Sequence, residues 1–254
     1  MRQHSKVLFE ASKLKVDRAV KHTQELQSKI GEYIAPRPVV IVQEKRGDWW
    51  VQCIRVKEPI PKCWPTIIGD AIHNLRASLD LMACELVRMN DEDDKGALFP
   101  FAHSQDDLKN VMMNKRHMNR ASSSVQAHIL KLAPYKGELR ALHDLDLTDK
   151  HRSLIPALTQ VAESNIAFGL SDTNGNPIPI SIPIKDGEPM TATSKPAIGP
   201  AESPIDISVV FPFGGPLGGV EVTAGLESLT KLVLGIFDSF EALGTAKLGR
   251  VPVT

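Results

Sequence analysis

What the chain lacks narrows what it can be. Its three cysteines, Cys53, Cys63 and Cys84, form no CxxC pair and no even framework, which argues against a secreted disulfide scaffold and a cysteine zinc centre and fits a reducing compartment. Neither sign of charge is in excess, with 30 Lys plus Arg against 30 Asp plus Glu. No global positive field therefore advertises nucleic acid, and any partner must be recognised locally. Residues 1–15 are interrupted by charge and have no apolar signal-peptide core, and no run approaches the roughly 20 apolar residues needed to cross a bilayer. A cytoplasmic globular protein with no membrane association is expected. No GxSxG is present, and no Lys-Ser/Thr follows the glycine-rich residues 214–219, so neither a nucleophile elbow nor a phosphate-cradling loop is indicated.

What is present is a hydrophobic content of 42%, enough to bury a substantial core. Residues 5–33 carry apolar side chains at helical spacing among Lys, Glu and Gln, and Gly31 and Pro36 end that helix. Residues 38–43 and 49–56 are β-branched or alternating on either side of Lys45-Arg46-Gly47-Asp48, a β-hairpin with a polar turn. Arg46-Gly47-Asp48 is read as that turn rather than as an adhesion motif. Pro59, Pro61 and Pro65 launch a long helix through Arg88. A charged loop at 91–96 and an apolar anchor, Leu98-Phe99-Pro100-Phe101, lead to helices expected over 105–120, 122–132 and 138–148. The first of these, with Lys109, Lys115, Arg116, His117 and Arg120, is the most basic local stretch, and a solvated face is its simplest reading.

From His151 onward the composition changes to strands. Asn174-Gly175-Asn176 has the form of a hairpin tip. Seven prolines, at 177, 179, 183, 189, 196, 200 and 204, leave room only for loops and edge strands. A strand at 205–213, a glycine-rich turn, a short return at 220–222 and a closing helix at 226–243 complete the chain. The expected fold class is α+β: a helical bundle with an N-terminal β-hairpin, antiparallel strands in the C-terminal half and a C-terminal helix. It reads as a single domain over 1–254, helical to about 150, strand-rich over 151–225 and closed by the last helix. An isolated hairpin is marginal in water, so the strands after residue 151 are the available supply of neighbours for the hairpin at 38–56.

The helix through residues 64–88 carries the candidate functional residues. Ile68, Ile72, Leu75, Leu79, Met82, Ala83 and Leu86 define its buried side. His73, Arg76 and Asp80 gather within about 60° along one edge, with Asp70 further round. A second cluster, Leu142-His143-Asp144-Leu145-Asp146-Leu147-Thr148-Asp149-Lys150-His151-Arg152, is its natural partner. Gly69-Asp70-x-x-His73-Asn74-Leu75-Arg76-x-x-Leu79-Asp80, followed by Asp149-Lys150-His151-Arg152, resembles a family of uncharacterised bacterial and phage proteins over about residues 65–158. The helical part also resembles the HEPN group, whose ribonuclease members carry an arginine, four to six intervening residues and a histidine on a helix. Arg76 takes the arginine place, but after four intervening residues stands Leu81.

These residues point to a metal-independent, ribonuclease-like hydrolase without a cofactor, acting on RNA or another phosphate-bearing ligand. The candidate catalytic residues are His73, Arg76, Asp80, Asp149, Lys150, His151 and Arg152. His73 or His151 would move the proton, Arg76 would steady the phosphorane, Asp80 would orient an imidazole, and Lys150 and Arg152 would grip flanking phosphates. Two alternatives stand beside this. In a binding or regulatory protein the same groups form an internal network, with Arg76 paired to Asp80 or Asp149. In a metal-dependent hydrolase, Asp70 and His73 would join His143, Asp146, Asp149 and His151 as ligands. A homo-oligomer is compatible with either.

Overall fold

Hydrophobic periodicity translates into elements much as the sequence implies, and the fold is α+β. The computed structural model describes residues 8–151, 154, 156–162, 180–196 and 202–248. Among the described residues six α-helices run in the order α1 (Glu10–Ile34), α2 (Trp64–Arg88), α3 (Gln105–Asn110), α4 (Ser123–Leu132), α5 (Gly137–His151) and α6 (Val222–Leu248). The strands are β1 (Val39–Arg46), β2 (Trp49–Val56), β3 (Ala157–Ala162), β4 (Ile180–Pro183), β5 (Pro189–Thr193), β6 (Glu202–Pro204) and β7 (Ile207–Val210). No described helix is long and apolar enough to cross a membrane. The chain divides into two compact units, one of Met1–Gln24, Thr66–Leu154 and Thr223–Thr254, the other of Glu25–Pro65 and Ile155–Val222.

The first unit is helical. On α2, Ile68, Ala71, Ile72, Leu75, Leu79, Met82 and Ala83 are essentially inaccessible, which is the side the three-and-four spacing marks out. Phe9 packs on Phe237 of α6 with ring centroids 5.9 Å apart, and its N–H donates to the buried carboxylate of Glu85 at 3.3 Å. His128 of α4 meets α6 through Ser239 at 2.8 Å and an edge contact with Phe240.

The expected helix over 105–120 is where the structure departs most from periodicity. The α-helix stops at Asn110, a π turn covers Val111–Lys115, His117 takes a left-handed conformation at φ 52°, and a 3₁₀ turn covers Met118–Arg120. Tertiary bonds set this. The Leu98 N–H donates to the Arg116 carbonyl at 3.2 Å, and the Arg120 guanidinium donates to the carbonyls of Asp93 and Lys95. The cation expected on a basic face is thus committed to closing the loop at 91–96.

In the second unit the hairpin of β1 and β2 gains a neighbour on each side, giving the order β5-β2-β1-β6, while β4-β3-β7 forms a separate antiparallel sheet. The C-terminal half supplies both flanking strands, which meets the stability need of an isolated hairpin. Pro183, Pro189 and Pro204 fall in β4, β5 and β6, all edge strands, where a missing N–H costs no ladder bond. Residues 220–222 do not form the expected strand. One bridge joins Glu221 to Val210, and Val222 already opens α6. The hairpin tip at 174–176 lies outside the described residues.

Candidate functional site

Two helices of the first unit carry the site. The edge of α2 presents Gly69, His73, Arg76 and Asp80 at helical spacing. On α5, His143, Asp146, Asp149 and Lys150 answer them. The pairs run antiparallel, with Gly69 against Asp149, His73 against Asp146 and Arg76 against His143. A helix pair in this direction brings residues some seventy positions apart into register.

At the centre is a buried carboxylate. Asp146, 3% exposed in its side chain, holds Nδ1 of His73 at 3.0 Å on one oxygen and Nζ of Lys150 at 2.6 Å on the other. A buried anion is tolerable only when paired in this way. His73 remains 53% exposed and Lys150 49%, so both partners reach out of the protein from a fixed anchor. An ionised carboxylate only accepts, so Nδ1 carries the proton and neutral His73 keeps its lone pair on Nε2.

One turn further along α2 the balance inverts. Arg76 is 7% exposed and lies 2.6 Å from the Asp80 carboxylate, which is 26% exposed. The contact is an ion pair off the hydrogen-bonding direction, since the buried Nη1 makes no directed bond. The guanidinium covers the ring of Phe101 at 4.3 Å, and that ring stacks on His143 with centroids 4.6 Å apart and planes 6° from parallel. Nε of Arg76 donates to Nδ1 of His143 at 3.4 Å. Burial first, and then the charges of Arg76 and Arg140, push the His143 imidazole down to about 4. Asp80 also accepts the Phe99 N–H at 2.9 Å, which pins the apolar anchor after the 91–96 loop.

At the outer end, Asp149 packs directly on Gly69, where an added Cβ would lie 2.3 to 2.4 Å from its carboxylate atoms. Burial, then the neighbouring carboxylates of Asp146 and Asp70, raise the Asp149 carboxyl above its ordinary range.

The structure therefore brings His73, Lys150 and Asp149 together around Asp146, and Arg76 with Asp80 into a separate clasp. Asp80 does not orient an imidazole as expected. Its oxygen is engaged by Arg76 and the Phe99 N–H, and Asp146 takes that position instead. His151 ends α5 exposed, with no hydrogen bond or ion pair among the described residues. Arg152 lies outside the described residues. Among the described residues no group of three His, Cys, Asp or Glu is arranged to hold a metal ion, so the ligand set from Asp70 to His151 does not converge.

In the sequence Asp146 stands out only as a candidate metal donor. Its spacing of seven from Leu139 and four from Leu142, both buried, marks it as an inward-facing acid. Phe101 and the stack on His143 carried no sequence signal, because an anchor outside both helices builds them. Compared with protein-family models, with characterised proteins and with solved structures, the chain matches none.

Proposed function

We propose that the stripe between α2 and α5 is a metal-independent, ribonuclease-like phosphoester-cleaving site in which His73 is the acid-base group. The observation that supports this is a half-exposed imidazole whose Nδ1 is anchored 3.0 Å from a buried carboxylate. That arrangement fixes ring and tautomer and directs Nε2 to the reacting proton. Asp146 is the positioning residue. Lys150, held beside it, supplies the exposed cation for a phosphate. Arg76 is too enclosed for that task and acts through His143 and Phe101 as a support.

The test incubates the protein with end-labelled single-stranded RNA in excess chelator, beside His73→Asn. Asparagine retains a donor near the Nδ1 position and lacks Nε2, so the Asp146 anchor is preserved. Cleavage by the wild type and its loss, by about 10²- to 10⁴-fold, in the variant is the expected result. Equal signals from the two would remove the reading.

A second reading has its own observation. The enclosure of Arg76 by Asp80, Phe101 and His143 is what an internal network of a binding or regulatory protein needs. If neither protein cleaves RNA, that reading stands.

A further inference from the structure

One carboxyl of α5 has no hydrogen-bond or ion-pair partner among the described residues. It belongs to Asp149, which is only partly exposed. It is held in place by shape: Gly69 has no side chain, so the carboxylate lies against α2 itself. The charged groups acting on it are Asp70 and His73 from α2 and Asp146 and Lys150 from α5. Two of the four are carboxylates, and burial beside them raises the Asp149 carboxyl above its ordinary range. Gly69 and His73 stand one turn apart on α2, so the carboxyl packed on Gly69 lies beside His73 along the same helix edge. Such a neighbourhood sets one group to accept a proton and another to give one.

The geometry points to Asp149 as the second proton-transfer group of this site, giving its proton to the departing oxygen while His73 takes one from the attacking hydroxyl. This rests on the reading of His73 above. On an RNA strand, Nε2 of His73 accepts the 2'-hydroxyl proton as the 2'-oxygen bonds to phosphorus. The bond from phosphorus to the 5'-oxygen breaks, and the Asp149 carboxyl protonates that oxygen. The products are a 2',3'-cyclic phosphate and a 5'-hydroxyl end, with His73 as imidazolium and Asp149 as carboxylate. Proton exchange with water restores both.

A general acid matters only when the leaving group needs a proton. Asp149→Asn and His73→Asn are assayed on a dinucleotide, whose leaving group is an alkoxide, and on uridine 3'-(4-nitrophenyl phosphate), whose leaving group is a stable phenolate. Asp149→Asn is expected to lose about 100-fold or more on the dinucleotide and little on the nitrophenyl ester, while His73→Asn loses on both. Its dinucleotide rate should also lose the alkaline fall of the wild type, because that fall reports deprotonation of the acid. Equal losses on both substrates, no loss on either, or an alkaline fall that persists in Asp149→Asn would overturn the assignment while leaving His73 in place. No cleavage of either substrate by the wild type would end both.

Discussion

His73 and Arg76 stand one turn apart on the same helix, and their surroundings treat them in opposite ways. At His73 the carboxylate is buried and the base is exposed. At Arg76 the cation is buried and the carboxylate of Asp80 is the more exposed partner. The residue types are alike, so burial rather than chemistry separates a group free to react from one that holds helices together. An exposed imidazole on an enclosed anchor can exchange protons with a substrate, whereas an enclosed guanidinium on a ring has no room to meet one.

That contrast can be broken from either side. The largest effect expected is a split between function and stability. His73→Asn should lose about 10²- to 10⁴-fold in RNA cleavage and less than about 1 kcal/mol in stability, as for an exposed position. Arg76→Met should do the reverse, costing about 3 kcal/mol in urea unfolding because a buried pair loses one member, with cleavage retained well below its melting point. Were Arg76→Met to abolish cleavage at full stability, the guanidinium would belong to the reacting centre after all.

Gly69→Ala comes next. Its methyl would occupy the space of the Asp149 carboxylate, and overpacking of this kind costs about 1–3 kcal/mol. A neutral melting temperature would show that the two helices separate more easily than their packing implies.

Smaller effects appear with pH. The folded His143 titrates near 4, below its ordinary value of 6.5, so the unfolded chain takes up that proton first. Stability is fully present above about 6.5 and falls as pH drops toward 4. Replacement by Phe, which keeps the stack on Phe101, should flatten that stretch of the stability curve. Asp149 works with the opposite sign, since its carboxyl is raised in the fold. Its contribution is present below the ordinary carboxylate range and is lost as pH rises through the folded value. Asp149→Asn should therefore be slightly stabilising at pH 7, with the gain gone below about pH 4.

Legibility followed the range of the interaction. The apolar face of α2 and the hairpin at residues 39–56 are local patterns and were readable. The prolines put β4, β5 and β6 at sheet edges through a local property, the missing N–H. The π turn after Asn110 was not readable, because the segment that follows it is tied to a distant loop, the Leu98 N–H donating to the Arg116 carbonyl. At the site, the meeting of the His73 and Asp149-Lys150 segments followed from their density of charge. Which acid would serve His73 did not, since Asp80 and Asp146 differ only in what covers them. His151 shows the limit from the other direction: it adjoins Lys150 in the chain, but it is the last residue of α5 and its imidazole is exposed.

The most direct measurement is the two-bond ¹⁵N–¹H correlation of the His73 ring in the wild type and in Asp146→Asn, at a pH where the imidazole is neutral. The wild type should carry its proton on Nδ1 and leave Nε2 bare, and the variant should relax toward the mixture of tautomers seen in free imidazole. A wild-type ring protonated on Nε2, or one unmoved by Asp146→Asn, would contradict the anchoring on which the site depends.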